Sequence, residues 1–171
     1  MMLFLTLRVL HVLLAAIWFG AIVANVFFLT PSVMEAKTGG GQVMAGMMRR
    51  GYVTFLTAIS GIVTLSGFYL YYKFTLGFDP IASAAMPARI VGTGAVAGVL
   101  ASVFGPMFVS RPIKRVAAIM AKAGPMADGA EKSALLQQSA ALQASSITWS
   151  KITLVLMTIA LVTMSIGHYF A

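Results

Sequence analysis

Charge is scarce in this chain. Only 9% of its 171 residues are charged, 60% are hydrophobic, and the mean hydropathy is +0.93. A soluble domain carries about 25% charged residues, and a disordered chain has few apolar ones, so this composition excludes both classes. A helix that crosses a membrane needs about 20 apolar residues, and the length allows four of them. The chain is therefore predicted to be an integral membrane protein.

Cysteine is absent, and histidine and acidic residues are few. Without cysteine, the chain forms no disulfide, ligates no iron–sulfur cluster and performs no thiolate catalysis. The two histidines are His11 and His168, and Glu35 and Asp79 fall in loops on opposite sides of the predicted bundle. No carboxylate pair is thus available for acid–base catalysis, and no catalytic residue is identified. A redox role must depend on a bound cofactor.

Four segments lack charge over a membrane-crossing length, namely 9–29, 52–72, 90–110 and 152–170. In lipid, a single segment satisfies its own backbone only as a helix, so we expect an all-α four-helix bundle with up-down topology. The first apolar run is too long for a signal peptide and is interpreted as a retained helix. One transmembrane domain, 1–171, is expected, with helices at about 4–30, 51–74, 87–110 and 147–170 and a helical loop at about 111–146.

Prolines, glycines and caps refine these helices. Pro31 is predicted to end the first helix, Pro87 to open the third and Pro106 to kink it. The stripe Gly94, Gly98 and Ser102 would let a neighbouring helix approach the third one closely. In the long loop, Asp128-Gly-Ala-Glu131 has the pattern of a helix N-cap with a capping glutamate.

The formal net charge is +8, and most of the basic residues lie in two predicted loops. In a membrane protein such residues mark the cytoplasmic side, which takes precedence over an interpretation as nucleic-acid binding. Three basic residues lie on the predicted side of both termini, namely Arg8, Lys73 and Arg89. Nine lie on the other side, namely Lys37, Arg49, Arg50, Arg111, Lys114, Arg115, Lys122, Lys132 and Lys151. We therefore expect a multi-pass protein of a bacterial inner membrane, with both termini on the periplasmic side.

The polar residues of the first helix share one face. At seven-residue periodicity this face comprises Phe4, Arg8, His11, Ala15, Trp18, Ile22, Asn25 and Leu29. Polar groups pointed at lipid would each cost several kcal/mol, so the face should turn into the bundle. An ionisable residue within a membrane is a functional candidate by default, which singles out His11.

The two histidines fall at similar depths. His11 lies roughly 9 Å, and His168 roughly 13 Å, outward of the midpoint of its helix. If the first and fourth helices are neighbours, the two imidazoles could hold a haem iron between them, with Arg8 and Arg89 close to the haem propionates. The alternative is that His168 is solvated within an interfacial aromatic belt that includes Tyr169 and that the two arginines snorkel to water.

Twelve methionines raise the alternative of copper, since thioethers bind Cu(I). The densest group is Met44, Met47 and Met48, which lies beside two arginines. Flexible apolar packing is the ordinary role of such a group.

The element His11-x6-Trp18-x-Gly20 resembles the first helix of HemJ-type protoporphyrinogen oxidases and, equally, of CopD-type copper-resistance membrane proteins. The stretches Met47–Arg50 and Thr64–Leu70 are similar to the second helix of the same group. The resemblance implies a four-helix bundle that binds haem b, with His11 as its ligand. HemJ proteins also need a lysine in the third helix, where Arg89 stands here.

These observations leave three functions open. The first is a haem b-binding protein in electron transfer or porphyrinogen oxidation, with His11 and His168 on the iron and Arg8, Trp18 and Arg89 around the cofactor. Its electron partner would be a quinone or a redox protein. The second is CopD-like copper handling, and the third is a structural subunit of a larger membrane complex. In every case the lipid bilayer is a partner, nucleic acid is not, and a homodimer remains open.

Overall fold

The computed structural model describes residues 1–36 and 38–170, with the backbone alone at residues 38, 39 and 168. Helices make up 90% of it, and no strand occurs in the described residues. The expected all-α class is thus confirmed. In chain order the α-helices are α1 (Met2–Ala24), α2 (Thr30–Glu35), α3 (Thr38–Arg49), α4 (Tyr52–Phe74), α5 (Pro80–Ala84), α6 (Met86–Phe104), α7 (Arg111–Ala123) and α8 (Ala130–Ile166).

Four long helical units could cross a membrane, and they contain most of the apolar residues. They are Met2–Glu35, Tyr52–Phe74, Met86–Ala123 and Ala130–Ile166. Large apolar side chains lie on their outer surfaces, among them Leu65 at 73% exposure and Val155 at 58%. Such a surface is suited to lipid rather than water. We name the four units the first to fourth spans.

The first and third spans each contain a π-helical turn, at Asn25–Leu29 and Gly105–Ser110. Each π turn ends two residues before a proline, Pro31 or Pro112. A proline has no N–H and its ring crowds the carbonyl four residues earlier, and a widened turn relieves both problems. The prediction that Pro31 ends the first helix is therefore wrong, because the helix passes through it to Glu35. Pro87 does open α6, as predicted.

The spans pack most extensively in two pairs, α1 with α4 and α6 with α8. The pairs are joined by contacts of α4 with α6 and, over a smaller area, of α1 with α8. The core between all four consists of Trp18, Ile59, Val63, Ala101 and Met157. This arrangement confirms a helical bundle.

Small residues allow α6 and α8 to approach closely. On α8, Ser139, Ser146 and Thr153 recur every seven residues and are all buried, and Ser139 lies against Met120 of α7. On α6, a side chain at Gly94 would meet the Thr163 hydroxyl and would lie 3.1 Å from the Ala160 carbonyl oxygen. The predicted close approach of a neighbour to the Gly94 stripe is therefore confirmed, and the neighbour is α8.

The third and fourth spans are longer than the membrane requires. At 37 residues, α8 is about 55 Å long, against a hydrocarbon core of about 30 Å. Its first half packs on α7, and together they form a helical hairpin beyond the apolar region. The loop expected at about 111–146 is thus largely continuous with the spans.

The start of α8 corrects one prediction about this hairpin. Asp128 does not cap the helix, because Gly129 in extended conformation occupies the N-cap position. The Asp128 carboxylate instead accepts a hydrogen bond of 2.8 Å from Lys132 Nζ. That ammonium group holds the pKa of Asp128 below its ordinary value, by hydrogen bonding first and by its charge second.

Candidate functional site

The polar face of α1 points into the bundle, as its pattern predicted. Trp18 is 5% exposed, and the other members are half-buried with the exception of the exposed Arg8. Hydrocarbon has no hydrogen-bond partner for the side chains of His11 and Asn25. A helix in lipid is therefore more stable when these side chains face protein. The sequence therefore orients α1, and this orientation places His11 against α4.

His11 is held by two groups of α4. Its Nδ1 lies 2.9 Å from the Val63 carbonyl oxygen and 3.1 Å from Ser66 Oγ. A carbonyl oxygen can only accept, so Nδ1 carries the proton and donates it. Ser66 Oγ itself donates to the carbonyls of Ile62 and Val63, at 2.7 and 3.0 Å, which leaves its lone pairs to accept from the imidazole. In the neutral form of the ring, Nε2 is then the unprotonated nitrogen and can act as a lone-pair donor.

Gly67 makes room for this ring. A Cβ atom at Gly67 would lie 2.9 Å from His11 Cε1 and 3.4 Å from Nδ1, closer than ordinary contact. Ser66 thus accepts a hydrogen bond from the imidazole, and the absence of a side chain at Gly67 leaves space for the same ring. Sequence reasoning had linked these residues to a resemblance in the second span, without identifying them as the partners of His11. Their position in the same half of the bundle as His11, the half that holds the termini, was the signal available.

The His11–His168 pair remains a prediction, because the side chain of His168 lies outside the described residues. Its backbone belongs to a 3₁₀ turn, Gly167–Phe170, which continues α8 and packs on α6. Within that turn, a Cβ atom at Gly167 would lie 3.6 Å from the Pro87 carbonyl oxygen.

The hydrogen-bond partners of the imidazole in the described part of the chain do not include the other three predicted cofactor residues. Arg8 is exposed one turn before His11, and Arg89 is exposed near the start of α6. Trp18 lies roughly 10 Å along α1 from His11 and belongs to the core between all four spans. The structure thus groups His11 with Val63, Ser66 and Gly67, and it gives Trp18 a packing role. Lys37, one of the predicted loop charges, lies outside the described residues.

A second polar region lies in the other half of the bundle, and sequence reasoning missed it. A cavity of about 90 Å³ there reaches from Thr30 and Ser110 to Trp18, and both π turns contribute to its wall. Tyr52 donates a hydrogen bond of 3.0 Å to Asn25 Oδ1 at this wall. The volume is far below the roughly 300–1,000 Å³ of ordinary cofactor pockets, so the cavity does not hold a haem.

The methionine group lies on and beside a separate open pocket. Val43, Met47, Arg49 and Arg50 line a volume of about 520 Å³ at the end of α3. Within the described part of the chain, no three histidine, aspartate or glutamate side chains are grouped as a metal site.

No protein-family model, curated protein or solved structure matches this chain.

Proposed function

We propose that this chain is a haem b-binding integral membrane protein with a redox role, in which His11 would hold the haem iron. The observation that carries the proposal is the orientation of the imidazole by the Val63 carbonyl and Ser66. Histidines that bind metals almost always donate their second ring N–H to a carbonyl or carboxylate, which fixes the tautomer and raises the basicity of the ligating nitrogen. Here the second nitrogen is Nδ1, and Nε2 is the ligand.

The residues around His11 fit such a group in part. Gly67 lets the His11 ring lie close against α4, and the exposed guanidinium groups of Arg8 and Arg89 can pair with propionates. His168 is the proposed second ligand. When bound, the haem supplies one-electron chemistry that the side chains of this chain lack.

This chain's own residues have three tasks in the proposal. Ser66 and Val63 fix the orientation and the tautomer of the imidazole. The apolar surface of α1 and α4 limits the access of water to His11. Because Arg89 keeps its charge, it serves to bind anions rather than to remove a proton. The proposal therefore favours electron transfer over HemJ-like porphyrinogen oxidation, with a quinone or a redox protein as electron partner.

The proposed orientation places both termini on the periplasmic side of a bacterial inner membrane. Of the basic residues in the described ranges, eight lie toward the side of the bundle opposite the termini and three toward the side of the termini. This asymmetry supports the orientation by the positive-inside rule. It places His11 in the outer half of the bilayer and the α7–α8 hairpin in the cytoplasm.

The proposal is tested on protein purified in mild detergent, with visible spectra of the oxidised and dithionite-reduced states and a pyridine haemochrome assay. A sharp reduced α-band with haem close to one per chain is the expected result. If the protein is colourless and stays colourless after addition of haem, the proposal is wrong. Copper handling and a structural role would then be the remaining functions.

A further inference from the structure

The cavity of about 90 Å³ in the inner half of the bundle has a mainly apolar wall that also carries several uncharged polar side chains. Asn25, Tyr52, Thr57, Ser60, Ser150 and Thr153 contribute amide and hydroxyl groups to its wall. The described residues that line it include no charged side chain, so nothing there would balance an ion. An unpaired charge in such a low-dielectric place is costly, and the wall therefore suits a neutral occupant.

Thr153 is the unusual member of this wall. It is 1% exposed, and its Oγ1 has no hydrogen-bond partner among the described residues. Other hydroxyls on α8 donate to carbonyls of their own helix: Ser146 to Leu142 at 2.9 Å and Thr158 to Leu154 at 2.9 Å. A buried hydroxyl without a partner is unfavourable, and a partner within the cavity that Thr153 lines would remove this cost.

The neighbouring hydroxyls determine what that partner can be. Thr57 and Ser60 donate to helix carbonyls at 2.8 Å each, which leaves the lone pairs of their oxygens as acceptors. The wall thus offers acceptors together with the Thr153 hydroxyl, a buried donor that has no partner among the described residues. Water both donates and accepts, and a volume of about 90 Å³ corresponds to about three molecules at about 30 Å³ each.

We propose that this cavity is an internal hydration site, which holds a cluster of about three water molecules anchored by the Thr153 hydroxyl. The two π turns of the first and third spans form part of its wall, and π turns are frequent at functional sites. The site extends from the cytoplasmic end of the bundle, in the proposed orientation, to Trp18. It is separate from His11 and does not depend on haem binding.

The first test replaces Thr153 by valine, which keeps the shape and removes the hydroxyl. If the hydroxyl binds water, Thr153→Val lowers the melting temperature in detergent by about 2–6 °C, and Thr153→Ser, which keeps the hydroxyl, restores most of it. Thr158→Val on the same helix is the matched control and changes the melting temperature little. If Thr153→Val melts at the same or a higher temperature than the unchanged protein, the site is dry and the proposal is wrong.

The second test uses water itself as the probe and tolerates some loss of stability. Because the chain has no cysteine, a single introduced thiol gives the only S–H band in the infrared spectrum. Exchange of this proton in D₂O needs contact with water. The thiol of Thr153→Cys should exchange at least tenfold faster than that of the exposed, membrane-level control Thr158→Cys. Equal or slower exchange at position 153 would overturn the proposal.

Discussion

Replacement of Gly94 by alanine tests whether close contact of α6 with α8 stabilises the bundle. The added Cβ would meet the Thr163 hydroxyl and would lie 3.1 Å from both the Ala160 carbonyl oxygen and Met164 Cγ. The carbonyl belongs to the backbone of a packed helix and cannot turn aside. Overpacking of this kind costs about 1–3 kcal/mol. In a chain of this length that corresponds to a fall in melting temperature of about 2–12 °C.

Two glycines provide controls for this prediction. At Gly98, also on α6, an added Cβ would lie 3.9 Å from the Ala160 Cβ, an ordinary contact, and at Gly61 it would meet nothing within 4 Å. Both alanine variants should be unchanged or more stable, by up to about 1 kcal/mol from helix propensity. The assay is thermal unfolding followed by circular dichroism in one detergent. If Gly94→Ala is as stable as Gly98→Ala, the described packing of α6 on α8 is wrong.

Two further predictions concern the site and the hairpin. Gly67→Ala should displace the His11 imidazole, so in haem-loaded protein it should shift the reduction potential or the Soret maximum. The control Gly61→Ala should leave both unchanged. If the spectra of Gly67→Ala and the unchanged protein are identical, Gly67 does not position the ring. For Asp128 the folded pKa lies below the unfolded one, so its contribution is present above about pH 4 and is lost as the pH falls through the folded pKa. Because this carboxylate is exposed, the melting temperature should fall by only about a degree when it is protonated. This fall should be absent in Asp128→Asn. If the unchanged protein and Asp128→Asn lose the same amount on acidification, groups other than Asp128 cause the loss.

Much of the fold follows directly from the sequence, because lipid imposes strict conditions. Uncharged runs of membrane-crossing length have to be helices, and the cost of exposing His11 and Asn25 to hydrocarbon fixes the rotation of α1. Gly94 predicts a close neighbour for a similar steric reason. These conditions depend on one segment at a time, so they can be derived without knowledge of the partner helices.

Other features depend on how several segments meet. A proline at position 31 would interrupt an ordinary α-helix, but here the π turn at Asn25–Leu29 accommodates it and the helix continues. Whether a π turn forms depends on the packing around it. Thr153 resembles any threonine of an apolar helix, whose hydroxyl usually bonds to its own backbone. The seven-residue spacing of Ser139, Ser146 and Thr153 was the signal that could have marked a buried polar seam. The partners of His11 likewise lie on another helix.

The role of His11 as a haem ligand is tested most directly by His11→Ala, compared with the control Tyr52→Phe. Tyr52 bonds to Asn25 in the opposite half of the bundle, so its variant also loses one intramembrane hydrogen bond without touching the imidazole. Both proteins are loaded with haem under the same conditions, and bound haem per chain is measured as the pyridine haemochrome. We predict that His11→Ala loses the bound haem and its Soret band, whereas Tyr52→Phe retains both. If His11→Ala binds as much haem as the unchanged protein, His11 is not the ligand.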